Sequence, residues 1–346
     1  MFYLLKEFFI SFVEIFIFNK YSNLTKLKNL INALIAHFIT KPERVNYYPT
    51  RIYVDPTNIC NLKCPLCPTG RKEFGRKPGY MKFDDFKKLI DEIGKYLFQV
   101  DFYFWGEPLL NKEIFKMVNY AHQNKIRTRI STNFNFDIEP EKIVESGLDE
   151  LIVSLDGASD ETYSKYRVGG SFEKVISNIR KLQECKEKMG RANPRITWQF
   201  LVFAHNEHEI DKAKKMAKEL GVRLRILPIR AGLGYDIILD HKENRFKSWS
   251  SKKISRYKEN GERKFKIKSC LFLWFQSFVN WDGSISPCCA AFYQKDDFGN
   301  AFQNGFMSVW NGEKYRFARY IVKNKIKDYK GFICTNCVER GYFVDP

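Results

Sequence analysis

From Arg51 onward, short apolar runs alternate with longer stretches whose apolar positions recur at helical spacing. That rhythm predicts stacked β-α units. The runs Arg51 to Asp55, Val100 to Trp105, Arg127 to Ser131, Glu150 to Leu155, Ile196 to Phe203 and Val222 to Leu227 read as strands. Between them the periodicity predicts helices at about Phe83 to Lys95, Lys112 to Asn124, Glu139 to Ser146, Phe172 to Met189 and Glu207 to Leu220. Parallel strands joined by helices place functional loops at the carboxyl ends of the strands, so motifs that follow strands carry weight.

Two apolar segments precede this array. Met1 to Phe18 is apolar except for Lys6, Glu7, Ser11 and Glu14. Its charges and length speak against a membrane span, which needs about 20 residues nearly free of charge. Glu7, Ser11 and Glu14 form a narrow polar stripe on a helix that is otherwise broad and aromatic. Leu24, Leu27, Leu30, Ile31, Leu34, Ile35 and Phe38 form a second helical pattern. Both segments fit either packing across the bottom of a barrel or lying on a membrane surface. No internal repeat or low-complexity tract interrupts the chain. The expected division is 1–50 for the amphipathic helices, 51–230 for the β-α array, 231–268 for a basic linker or insert, and 269–346 for a small terminal domain.

Composition adds three constraints. Hydrophobic residues make up 44% of the 346 and aromatics 16%, enough for a large core. The formal net charge is +18, concentrated in Lys242 to Lys268, where eleven Lys or Arg face three Glu. Such a run is either a solvated insert or a docking surface for an anionic partner, and charge alone does not choose. The nine cysteines come without a cleavable signal-peptide pattern, which points to metal-ligating thiols in a reducing cytoplasm rather than to a disulfide framework.

The densest chemistry is Cys60-Asn61-Leu62-Lys63-Cys64-Pro65-Leu66-Cys67, directly after the first predicted strand. Three thiolates at spacings of four and three can wrap a loop around one iron-sulfur cubane and leave one iron without a protein ligand. Zinc is the rival, but it would want a fourth Cys or His, and none is close in sequence. A second set comprises Cys270, Cys288, Cys334 and Cys337, with Cys289 beside Cys288 as the alternative. Four thiolates in two pairs fit a fully ligated iron-sulfur cluster or a zinc knuckle. Cys185, alone in a helical pattern, reads as a core or surface thiol.

The segment Asp55-Pro56-Thr57-Asn58-Ile59-Cys60 through Pro68, then Gly106-Glu107-Pro108, Ser131-Thr132-Asn133 and Ser154-Leu155-Asp156-Gly157, resembles radical S-adenosylmethionine (SAM) enzymes in content and order. The resemblance runs from about Arg51 to the C-terminus. It implies an α/β fold, a partial (β/α)6 barrel, with SAM on the open iron of a [4Fe-4S] cluster held by Cys60, Cys64 and Cys67, and reductive release of a 5'-deoxyadenosyl radical. It also implies that Gly106, Glu107 and Pro108 receive the SAM amino group. Ser131 and Asn133 would lie near the ribose, Ser154 and Arg167 near the carboxylate, and Leu66 against the adenine. The sequence departs from the family's Gly-Gly-Glu-Pro at Trp105. Trp281-Asp282-Gly283, Phe298-Gly299-Asn300 and Val309-Trp310-Asn311-Gly312 resemble the SPASM or shortened twitch extension. There Cys270, Cys288, Cys334 and Cys337 would hold one auxiliary [4Fe-4S] cluster, where full SPASM domains hold two.

The reading is an anaerobic enzyme that takes a hydrogen atom from an unknown organic substrate, with alcohol dehydrogenation as the nearest analogy and peptide maturation as the alternative. Its reductant would be a flavodoxin or ferredoxin, anionic membrane a peripheral contact, and nucleic acid no partner. The rival of another class is a zinc-bearing adaptor for membrane or nucleic acid.

Overall fold

The computed structural model describes residues 21–73, 75–229, 248–256, 264 and 270–339. Six strands, β1 (Arg51–Val54), β2 (Gln99–Phe102), β3 (Arg127–Thr132), β4 (Glu150–Ser154), β5 (Arg195–Val202) and β6 (Arg223–Pro228), lie side by side in chain order, all parallel. Each agrees with the apolar run that predicts it to within a few residues. Every residue of β1, β2 and β4 is buried, as expected for parallel strands covered on both faces.

Helices connect the strands: α1 (Leu24–Ile35) precedes β1, and α2 (Phe83–Ile93), α3 (Ile114–Gln123), α4 (Pro140–Glu145), α5 (Asp160–Tyr166), α6 (Phe172–Lys188) and α7 (Ile210–Glu219) follow. Helix α5 is absent from the periodicity because it is only 7 residues long and polar; Ser159 caps it by accepting from the Thr162 amide. The expected helix over Met1 to Phe18 lies outside the described residues.

The C-terminal region adds β7 (Gln276–Val279) and β8 (Ile285–Ser286), flanked by α8 (Phe272–Phe275), α9 (Ala301–Asn304), α10 (Phe306–Trp310), α11 (Glu313–Asn324) and α12 (Ile333–Glu339). It does not stand apart from the array. β7 pairs in parallel with β1, Arg51 opposite Gln276, so one sheet runs in the order β6-β5-β4-β3-β2-β1-β7-β8. The turn after β7 depends on Gly283, whose φ of +82° suits glycine and whose missing Cβ leaves room for the Phe302 ring. Arg319 on α11 is fully buried with no carboxylate partner among the described residues. It donates to the carbonyls of Leu273 (2.9 Å) and Glu43 (2.9 Å) and lies over the Trp310 and Tyr315 rings, joining the segment before β1 to the C-terminal region.

Candidate active site

The site grows from the carboxyl end of β1. Asp55, fully buried, accepts from the amides of Trp105 and Gly106 at 3.3 Å each. Gly106 presses on the Thr57 carbonyl so closely that a Cβ would stand 1.8 Å from its oxygen, which only glycine avoids. One residue on, the Glu107 amide donates to the Ile59 carbonyl at 2.8 Å, so the Gly-Glu-Pro loop is stitched to the lead-in of the cysteine loop. The Glu107 carboxylate accepts from the Thr132 hydroxyl (2.7 Å) and the amides of Asn133 (2.7 Å) and Leu109 (3.2 Å). Burial pushes the carboxyls of Asp55 and Glu107 up to about 7, against the pull of these donors.

Two polar clamps hold the cysteine loop. From the end of β3, the Asn133 amide group donates to the Asn61 side chain at 2.8 Å and reaches Cys60 Sγ at 3.7 Å, while Asn61 donates to the Asn135 carbonyl. From the end of α5, Arg167 grips Asp156 through Nε (2.6 Å) and Nη2 (2.5 Å) and offers Nη1 to Cys64 Sγ at 3.9 Å. Gly70 lets the chain turn back onto the Cys64 backbone, where a Cβ would meet the Cys64 nitrogen at 2.6 Å. Burial pushes the Cys60 thiol up to about 12 and Cys64 to about 11; Arg167 works against this at Cys64. Burial thus favours the neutral thiol at Cys60 and Cys64, and the positive charge of a metal centre would offset it.

Of the residues that the resemblance implies for SAM, the fold gathers Glu107, Pro108, Asn133, Ser131, Ser154 and Arg167 at the strand ends. Ser131 is the penultimate residue of β3 and Ser154 the last of β4, and neither hydroxyl has a side-chain or carbonyl partner among the described residues. Arg167 is engaged by Asp156 and Cys64 instead of standing free. Leu66 is buried in a small apolar cluster with Leu62, Cys64, Tyr166, Phe203 and Ile229. Trp249, from the basic stretch, packs edge-on to Tyr166 and Phe203, and its carbonyl accepts from the Ala204 amide at 3.0 Å. The rest of that stretch is largely outside the described residues. Asp55, Asn61, Asn135 and Asp156 went unassigned by sequence reasoning; the Asp55-to-Pro68 run and the Ser154-to-Gly157 run contain three of them, and nothing marks Asn135.

The second cysteine set is drier. Cys270, Cys288, Cys334 and Cys337 line one cavity with Phe272, Leu273, Pro287, Val322 and Ile333. Cys289 is only partly buried and does not line it. Burial raises the Cys288 and Cys334 thiols well above the ordinary range, and Cys270 to about 11. Among the described residues no three potential ligands are grouped tightly enough for a single metal ion. A four-iron cubane instead takes thiolates spread around its corners, and an all-cysteine, apolar donor set suits it.

Three contacts tie the two regions together. Trp105 donates to the Ala291 carbonyl at 3.3 Å and packs on Phe292, a role that glycine at this position could not fill. Arg76 forms a two-pronged ion pair with Asp297 (2.8 and 3.0 Å) and donates to Ser284. Gly79 lies against the Trp281 ring, whose Nε1 donates to the Lys77 carbonyl.

A parallel α/β sheet with a three-cysteine loop clamped at its carboxyl end, and a four-cysteine cavity beside it, defines an iron-sulfur enzyme. Family models agree: the radical SAM superfamily matches residues 54–211, and an iron-sulfur cluster-binding SPASM domain matches 270–338. The chain belongs to the radical SAM superfamily and carries a SPASM domain. It is 24% identical to the tungsten-containing aldehyde ferredoxin oxidoreductase cofactor-modifying protein of Pyrococcus furiosus, over 83% of this chain and 86% of that one. It is 26% identical to the AdoMet-dependent heme synthase of Methanosarcina barkeri, over 85% and 92%. In fold it is similar to Streptococcus suis SuiB bound to S-adenosylmethionine, with a TM-score of 0.64 at 16% identity, covering 92% of this chain and 81% of that one. The family brings SAM, a SAM-binding [4Fe-4S] cluster and auxiliary iron-sulfur binding. The zinc-adaptor reading therefore falls. No described helix is long and apolar enough to cross a membrane.

Proposed function

We propose that this enzyme abstracts a hydrogen atom from an unactivated C-H bond of an organic substrate at the mouth formed by the strand ends. The observation that carries this reading is the Cys60-Cys64-Cys67 loop, clamped by Asn133 and Arg167 beside the Gly106-Glu107-Pro108 loop. Cys60, Cys64 and Cys67 would hold the cluster that, with bound SAM, supplies a carbon radical able to take that hydrogen, the cluster giving up the one electron its release consumes. In this reading Glu107, Pro108, Ser131 and Ser154 orient SAM, and Arg167 sets the charge beside Cys64. Cys270, Cys288, Cys334 and Cys337 would hold one auxiliary [4Fe-4S] cluster, which would take the electron left on the substrate radical while the hydroxyl proton departs to solvent, in an oxidation such as alcohol to ketone. A flavodoxin or ferredoxin serves as reductant. The enzyme works in the cytoplasm, in peripheral contact with anionic membrane.

The relatives favour a second reading, modification of a cofactor or peptide. The P. furiosus relative is named for cofactor modification, and the Mycobacterium ulcerans mycofactocin maturase is 29% identical over 52% of this chain and 48% of its own. An anaerobic assay separates the two readings. Deuterated small alcohols and candidate peptides are offered with SAM and dithionite, and deuterium in 5'-deoxyadenosine identifies the hydrogen donor. Substrate-dependent SAM cleavage with no deuterium transfer from any substrate would reject hydrogen abstraction.

A further inference from the structure

Helix α1 buries polar residues beside Leu30 and Ala33 and exposes a row of large apolar ones. Its buried positions include Lys26 and Asn29, at 1% and 4% exposure. Lys26 donates to the Lys125 carbonyl and lies over the Phe98 ring, and burial lowers its pKa to about 8. Asn29 is held by both the carbonyl and the amide of Tyr48. Leu24, Leu27, Ile31, Ile35, Phe38 and Ile39 point the other way, exposed by 40 to 76%. Those six account for most of the ten large hydrophobics exposed among the described residues, and their spacing makes one continuous stripe. Soluble surfaces scatter such residues singly, and a contiguous patch marks a surface meant to be covered.

We infer that this stripe is a docking surface for an anionic lipid bilayer. The inference rests on the peripheral membrane contact proposed above and assigns it to a surface. Two further observations select the bilayer as occupant. The chain that precedes α1, Met1 to Phe18, is itself apolar and aromatic in sequence. Lys28 within the stripe's span and Lys41 and Arg44 just after it are cationic, in a protein of net charge +18, which suits phosphatidylserine-type headgroups. Lys125, Phe98 and Tyr48, which α1 covers, precede β3, β2 and β1, so the stripe lies at the amino ends of the strands and the cysteine loop at the opposite end. Docked this way, the enzyme turns its mouth to the aqueous side, and its substrate arrives from water.

The test is co-sedimentation of the full chain with phosphatidylcholine vesicles with and without phosphatidylserine, run alongside thermal melting and light-scattering mass. Ile31→Asn/Ile35→Asn/Phe38→Ser is expected to weaken binding to the anionic vesicles about tenfold or more, at unchanged melting temperature and mass. If this variant melts far below the parent, residues 1–20 or the barrel cover the stripe; if it only breaks a dimer, a second copy does. Either result overturns the inference. A chain lacking residues 1–20 separates the two levels. Should the stripe variant bind like the parent while the truncation does not, the membrane contact stands and the α1 surface is rejected. Failure of the unaltered protein to bind rejects both.

Discussion

The two cysteine regions differ in how the fold treats their sulfurs. The loop of Cys60, Cys64 and Cys67 has polar guards: Asn133 against one sulfur, Arg167 against another, and Glu107 and Asp156 behind them. The Cys270, Cys288, Cys334 and Cys337 cavity is walled by Phe272, Leu273, Val322 and Ile333. Donors beside sulfur and an open mouth suit a cluster that must bind a charged ligand and react. Four thiols in an apolar wall suit one that only changes charge, since nearby hydrogen bonds and solvent are among the levers on cluster potential.

The largest expected effect breaks this comparison at its first term. Changing Cys60, Cys64 and Cys67 together to Ala should remove all 5'-deoxyadenosine formation and about half of roughly eight irons per chain. Survival of SAM cleavage would sink the assignment. The second term is sharpened by a pair of single changes. Cys288→Ala should lose the auxiliary cluster's absorbance and iron while keeping uncoupled SAM cleavage, and Cys289→Ala should keep both. Reversed outcomes would hand the ligand role to Cys289.

The junction between the regions comes next. Arg76→Ala leaves Asp297 as a buried, unpaired charge and should cost about 3–5 kcal/mol in denaturant unfolding. A loss below about 1 kcal/mol would show the latch to be idle.

A pH effect follows from Asp55. Its folded pKa of about 7 exceeds the ordinary 3.8, so the folded state holds the proton more tightly. The contribution is full below about 4 and is lost as pH rises towards 7, by a few kcal/mol at most. Asp55→Asn should flatten that decline between pH 4 and 7 while the Asn side chain still accepts from Trp105 and Gly106. An unchanged slope in urea titrations across this window would remove Asp55 as its source. The smallest effect is Trp105→Phe, which deletes the bond to the Ala291 carbonyl and should lower stability by about 0.5–1.5 kcal/mol.

The array of strands is legible because parallel strands buried on both faces leave apolar runs in the sequence, and the cysteine loop because its ligands are local. What stays hidden is whatever needs a distant partner. Asn61 and Asp156 look like ordinary loop residues until Asn133 and Arg167 arrive beside them. Helix α1 has apolar residues on two faces, Leu30 and Ala33 inward and Ile31 and Ile35 outward. Periodicity therefore finds the helix but not which face the barrel takes. The expectation of a small terminal domain organised by metal rests on its cysteines; nothing in the short run from Gln276 to Val279 announces that it pairs with a strand 225 residues earlier.

That pairing sets an order of events during synthesis. β1 is one of the first strands to leave the ribosome, yet one of its edges has no partner until Val279 has been made. In the interval the nascent chain carries an open strand edge, the kind of surface that invites pairing with other chains. The cysteine loop hangs from that same strand, and Asp55 at its root takes its amide partner from Val279. The strand that carries the first cysteine loop is thus completed only when the C-terminal region arrives.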